Sequence, residues 1–86
     1  MTERIKEIEN LLNHNSISFV TDNNYINILD SSSMTRIKVF QYECGDIGLC
    51  VAVVVQEFDE FGNQTYNKEF ATIGKAFLNR IKRNIG

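Results

Sequence analysis

The chain contains five short segments rich in β-branched and aromatic residues, and only a few turn residues separate each segment from the next. These segments are residues 16–21, 25–29, 35–43, 49–58 and 64–70, and such composition and spacing are typical of β-strands. A parallel crossover needs a dozen or more residues, whereas a tight turn joins antiparallel neighbours. The short spacers therefore predict an antiparallel β-meander of four to five strands.

Amphipathic helices are predicted at both ends of this meander. Near the N-terminus a helix is expected over about residues 2–13, because apolar residues recur there at helical spacing at Ile5, Ile8 and Leu12. The same spacing recurs near the C-terminus at Ile73, Phe77 and Ile81. Thr72 is the expected N-cap of that second helix, although a start near Asn67 is equally compatible with the pattern.

Length and composition indicate one small globular domain. The chain has 86 residues, of which 43% are hydrophobic and 23% charged, as in ordinary folded domains. Residues 1–86 are therefore expected to form a single α+β domain: N-terminal helix, meander, C-terminal helix, with the helices mainly on one face of the sheet. No apolar run reaches the roughly 18 residues that span a bilayer, and the N-terminus lacks the apolar core of a signal peptide. We therefore expect a cytoplasmic protein without membrane contact.

The pairing of the two longest segments decides which side chains share a face of the sheet. Around a two- or four-residue turn centred on Asp46 and Ile47, Glu43 is expected opposite Cys50. One face then carries Ile37, Val39, Cys50, Ala52, Val54, Phe58, Tyr66 and Phe70, and its small central residues favour close approach of the helices. The other face carries Arg36, Lys38, Phe40, Tyr42, Val51, Val53, Val55 and Glu57. The opposite charges of Arg36 and Glu57 favour this register, and a slip by one residue would exchange the two faces.

The second of these faces is the candidate partner-binding site. Two helices of this length cover about one face of such a sheet, so the face with Phe40, Tyr42, Val51 and Val53 at its centre is predicted to lie uncovered. An apolar centre with a charged rim is typical of a protein–protein contact surface. The expected partner is a host protein or a second copy of the chain in a homodimer. The alternatives are that the sheet coils enough for helices and loops to shield this face, or that one helix crosses to each side.

No pattern in the sequence indicates catalysis, a metal or a cofactor. Cys44 and Cys50 are too few for a disulfide scaffold or a four-ligand zinc site. The expected register points them to opposite faces as buried thiols, although an odd-length loop would place them opposite each other. His14 is the one histidine and ends the first helix with no nucleophile beside it. Gly45 and Gly48 are too close in sequence for a phosphate-binding loop. Four aspartates occupy predicted turns, where carboxylates cap backbone groups: Asp22, Asp30, Asp46 and Asp59. We therefore expect a protein that is not an enzyme and needs no cofactor.

The element order resembles that of double-stranded-RNA-binding domains, whose final helix begins with a lysine cluster that grips phosphates. The corresponding stretch here, residues 72–76, contains the single lysine Lys75. A second route to nucleic acid is a stacking platform of Phe40 and Tyr42 flanked by the cations Arg36 and Lys38. A nucleic-acid-binding module is thus the alternative function, against which the net charge of −2 argues.

The chain as a whole resembles the small inhibitor proteins of phages and other mobile elements, anti-CRISPR proteins among them. The resemblance lies in Ile5-Lys6-Glu7-Ile8-Glu9 at the start, in the turn-punctuated strands, and in Phe77-Leu78-Asn79-Arg80-Ile81 at the end. It implies a small inhibitor or adaptor that binds a functional surface of a host enzyme stoichiometrically. Inhibitors that imitate DNA are much more acidic, so the charge of −2 argues against mimicry.

Overall fold

The structure is a computed structural model that describes residues 2–85. It consists of α1 (Thr2–His14), β1 (Phe19–Asp22), β2 (Tyr25–Ile28), β3 (Met34–Glu43), a 3-10 turn (Gly45–Ile47), β4 (Leu49–Phe58), β5 (Gln64–Phe70) and α2 (Lys75–Lys82). All five strands form one antiparallel sheet in the order β1-β2-β3-β4-β5. The predicted α+β architecture of helix, antiparallel meander and helix is confirmed. Within residues 2–85, neither helix is long and apolar enough to cross a membrane.

Both helices pack on the same face of the sheet, which we call the helix-covered face. Their apolar stripes are completely buried there, at Ile8 and Leu12 of α1 and at Phe77 and Ile81 of α2. They pack against the sheet residues Ile26, Ile28, Ile37, Val39, Val53 and Val55. Burial of each large apolar side chain contributes roughly 1.5–3 kcal/mol. The prediction that the helices lie mainly on one face is confirmed, so neither helix crosses to the opposite side.

The register between β3 and β4 differs by one residue from the predicted one. Glu43 pairs with Leu49, not with Cys50, and Val39 pairs with Val53. The reason is the turn, in which the Cys44 N–H donates to the Gly48 carbonyl oxygen at 2.8 Å. The two strands are thus joined by the odd number of residues 44–48. Gly45 and Gly48 both adopt positive φ, at 61° and 97°, a conformation that favours glycine.

This shift exchanges the two faces of β4. Four of the eight predicted site residues, Val51, Val53, Val55 and Glu57, therefore lie on the helix-covered face. Four residues that were expected beneath the helices lie on the opposite face: Cys50, Ala52, Val54 and Phe58. The predicted face assignment of both groups is wrong, because alternate residues of a strand point to opposite sides.

The same turn corrects the expectation of two separate thiols. Cys44 and Cys50 are joined as a disulfide across the β3–β4 turn, with Cα atoms 5.9 Å apart, a separation typical of disulfides. The odd-length loop was the alternative that would bring them together. In a reducing cytoplasm the same two thiols would lie side by side without the bond.

The start of α2 also differs from both sequence-based alternatives. The helix begins at Lys75 after Gly74, which provides no side-chain cap, so Thr72 is not its N-cap. Asn67 cannot begin it either, because residues 67–70 pair with β4 as part of β5. Ile73 nevertheless packs against the core, just before the helix.

Candidate functional site

The face of the sheet opposite the helices, which we call the open face, is formed by alternate residues of β2 to β5. Four of the eight predicted site residues lie together on it: Arg36, Lys38, Phe40 and Tyr42. The structure adds neighbours that the shifted register brings to this side, namely Tyr25, Asn27, Cys50, Ala52, Val54, Gln56, Phe58, Asn67 and Glu69. The open face is therefore the candidate functional site, and four of these thirteen residues were predicted as site residues.

The other four predicted residues belong to the interior. Val53 is 1% exposed and Val55 is fully buried, while Val51 packs against the same core. Glu57 is 4% exposed and holds α2 against the sheet. None of the four can contact a partner through the open face of the folded chain.

Glu57 forms a buried ion pair with Arg80. The Arg80 Nε and Nη2 groups donate to the two carboxylate oxygens at 2.8 and 2.9 Å, and the guanidinium lies 3.6 Å from the centre of the Tyr66 ring. The hydrogen bonds to Glu57 raise the pKa of Arg80 above its ordinary value. Arg80 follows the buried Phe77 by three residues, a spacing that makes two helix positions neighbours.

The floor of the open face consists of small apolar residues of β4. Ala52 is 2% exposed and Val54 is 9% exposed, although no helix covers them. Across the ladder they pair with Phe40 and Lys38, whose longer side chains stand beside them and shield them from water. The open face is therefore less apolar than predicted. The side chains that project furthest from it are aromatic and cationic.

Arg36 lies at the centre of this aromatic and cationic layer. Its guanidinium carbon is 4.6 Å from the centre of the Tyr25 ring and 4.9 Å from that of Phe58, distances typical of cation–π contact. The Arg36 Nε donates to Gln56 Oε1 at 2.7 Å. Gln56 Nε2 in turn lies 3.4 Å from Asn67 Oδ1. The arginine is thus held by residues from β2 and β4, and Asn67 of β5 contacts it only through Gln56.

Lys38 extends the layer toward the β3–β4 turn. Its ammonium lies 5.2 Å from the centre of the Phe40 ring, and the rings of Phe40 and Tyr42 are 6.1 Å apart and tilted by 47°. Tyr42, at the far end, is 43% exposed. Within residues 2–85 the ion pairs are Arg4–Glu7 and Arg80–Glu57, so in that range Arg36 and Lys38 have no carboxylate partner.

The remaining polar residues singled out by sequence have local structural contacts. Asp59 accepts hydrogen bonds from the backbone N–H groups of Phe61 and Asn63, each at 2.9 Å, as predicted for a turn aspartate. The backbone N–H of Asn63 is the main cause that lowers the pKa of Asp59. The His14 Nδ1 lies 2.8 Å from the Asn10 carbonyl oxygen of its own helix. Among residues 2–85 no group of three His, Cys, Asp or Glu side chains is placed to hold a metal ion.

The arrangement on the open face can provide oriented positive charge and aromatic contact area, the chemistry of recognition. Comparison of the chain with protein-family models, curated proteins and solved structures finds no match in any of the three.

Proposed function

We propose that the chain is a non-catalytic protein-binding domain, a small inhibitor or adaptor that binds a host protein stoichiometrically through the open face. The observation that carries this proposal is the layer of Arg36, Lys38, Phe40 and Tyr42 on a sheet whose two helices both lie on the other side. Aromatic residues and arginine are the side chains enriched at interfaces and at their energetic centres. The resemblance to phage inhibitors of the anti-CRISPR type supports the same function, and a cytoplasmic host enzyme is the partner that it implies.

The composition of the open face suits a complex that forms after the chain has folded. The floor residues Ala52 and Val54 are already shielded in the isolated chain, so the domain can remain folded without its partner. A partner would cover the tops of the aromatic and cationic side chains, which are partly exposed. This is the behaviour expected of a free inhibitor that meets its target in solution.

The test compares three versions of the full chain as bait in a lysate of the organism that encodes it. The parent, Phe40→Asp on the open face and Phe61→Asp in the β4–β5 turn are immobilised in parallel, and retained proteins are identified by mass spectrometry. Phe61 is 81% exposed and lies between β4 and β5, outside the residues that form the open face, so it is the matched control.

We expect one protein to be retained by the parent and by Phe61→Asp, and its affinity for Phe40→Asp to fall by more than about tenfold. Equal retention by all three baits would refute the open face as the binding site. The mass of the isolated chain in solution gives a second check. A doubled mass that Phe40→Asp returns to that of a monomer would show that the occupant is a second copy of the chain, not a host protein.

A further inference from the structure

The donors of Arg36 are only partly used by the chain itself. A guanidinium carries five N–H donors in a rigid plane, and the hydrogen bond that the Arg36 side chain makes within residues 2–85 comes from Nε, to Gln56. The rings of Tyr25 and Phe58 lie against the same group and restrict how it can turn. Arg36 is therefore a fixed guanidinium whose Nη donors have no partner in the described part of the chain.

We propose that this guanidinium is a carboxylate subsite, and that the partner places an Asp or Glu side chain of an acidic segment on it. This inference rests on the proposed function and names the chemistry of its partner. Arg is suited to the task because its fork matches the two oxygens of a carboxylate, and such charged pairs are stronger than neutral hydrogen bonds. Lys38 lies two residues after Arg36 in β3, on the same face. It adds a second cation without a carboxylate partner in the described range.

The geometry favours a polypeptide over a single-stranded nucleic acid. Nucleic-acid platforms stack bases on the open faces of aromatic rings, whereas Arg36 lies against Tyr25 and Phe58, and Lys38 against Phe40. Binding to phosphates also draws on many cations, and the open face carries two, with Glu69 beside Val54 at its edge. A few carboxylates on an otherwise mixed protein surface match this charge better than a continuous phosphate backbone.

The test uses a labelled peptide that alternates Glu with Thr, its counterpart with Gln in place of every Glu, and a labelled oligothymidylate. Binding to the full chain is followed by fluorescence anisotropy at low salt, and the Arg36 Nε–Hε signal is followed by NMR. The variants are Arg36→Gln, Arg36→Lys and, as the matched loss of one charge on α1, Lys6→Gln. Circular dichroism verifies that each variant is folded.

We expect the Glu peptide to bind the parent and to shift the Arg36 signal, and the Gln peptide to bind at least about tenfold more weakly. Arg36→Gln and Arg36→Lys should each weaken binding of the Glu peptide by about tenfold. Arg36→Lys has this effect because lysine keeps the charge but lacks the planar fork of donors, while Lys6→Gln should bind the peptide like the parent.

Three results would overturn the inference: no binding of the Glu peptide, equal binding by Arg36→Lys and the parent, or tighter binding of the oligothymidylate, which would favour a nucleic-acid ligand. The bait experiment with Phe40→Asp distinguishes failure of the carboxylate subsite from failure of the proposed function. If Phe40→Asp loses the host protein while Arg36→Gln retains it, the open face is the binding site and the carboxylate subsite is wrong.

Discussion

A carboxylate placed at Val53 should destabilise the fold far more than one placed at Phe40. In the predicted register both residues lay on the uncovered face, where an aspartate is hydrated and harmless. In the structure Val53 is 1% exposed and pairs with the fully buried Val39, whereas Phe40 lies on the open face. The pair of substitutions therefore tests the register on which the site depends.

The magnitude for Val53→Asp follows from its burial. The substitution removes an apolar side chain whose burial contributes roughly 1.5–3 kcal/mol and leaves a polar group without a hydrogen-bond partner, at a cost of roughly 2–7 kcal/mol. The sum, roughly 3.5–10 kcal/mol, compares with a total free energy of unfolding of about 4–13 kcal/mol for a chain of 86 residues. We expect Val53→Asp to be largely unfolded and the milder Val53→Ala to lose about 2 kcal/mol.

Phe40→Asp should lower the free energy of unfolding by about 1 kcal/mol, because the contacts of the Phe40 ring with the Tyr42 ring and with the Lys38 ammonium are lost. The new carboxylate remains exposed to water. Urea unfolding followed by far-ultraviolet circular dichroism and by the fluorescence of the three tyrosines measures all three variants. A parent-like urea midpoint for Val53→Asp would refute the observed register and return Val53 to the uncovered face.

Two further predictions concern groups outside the open face. Arg80→Met leaves the buried Glu57 carboxylate without its counter-charge and should lower the free energy of unfolding by about 3 kcal/mol, while Glu57→Gln combined with Arg80→Met should recover part of that loss. Additive effects in urea unfolding would show that the two side chains do not interact. The lowered pKa of Asp59 means that its ionised form stabilises the folded turn at pH values above its ordinary pKa, about 4. That contribution is lost as the pH falls through the folded-state pKa, so acid should reduce the urea midpoint more for the parent than for Asp59→Asn. Equal acid sensitivity of the two would contradict the role of the Asp59 hydrogen bonds.

Local patterns in the sequence were sufficient to predict the elements. The bounds of β4 and β5 are those expected from composition and turn residues, because β-branched runs between turn residues have little alternative. Of the predicted stripes, Ile8, Leu12, Phe77 and Ile81 are fully buried, and Ile5 and Ile73 are partly buried against the same core. The start of α2 was less predictable, because the pairing of residues 67–70 with β4 is a tertiary contact that helical spacing does not contain.

The opposite charges of Arg36 and Glu57 did not predict correctly which residues share a face of the sheet. Such a match is worth about 0.2–1 kcal/mol, and in the structure Arg36 instead pairs with Gln56, while Glu57 binds Arg80 from a distant helix. The more informative signal was hydrophobicity. Between residues 50 and 56, one set of alternate β4 residues contains Val51, Val53 and Val55, whereas the other contains Cys50, Ala52, Val54 and Gln56. In this central part of the strand the first set has more apolar surface to bury beneath two helices.

Arg80 of α2 and Arg36 of β3 each lie against a tyrosine ring. On the helix-covered face, Arg80 lies against the Tyr66 ring and holds the Glu57 carboxylate with two hydrogen bonds. On the open face, Arg36 lies against the Tyr25 ring in the same way, with no carboxylate from residues 2–85 within ion-pair distance. A stacked arginine in this chain therefore already binds a carboxylate where the fold supplies one. The open face presents the same group without its acid, which is the reason to seek that acid on another molecule.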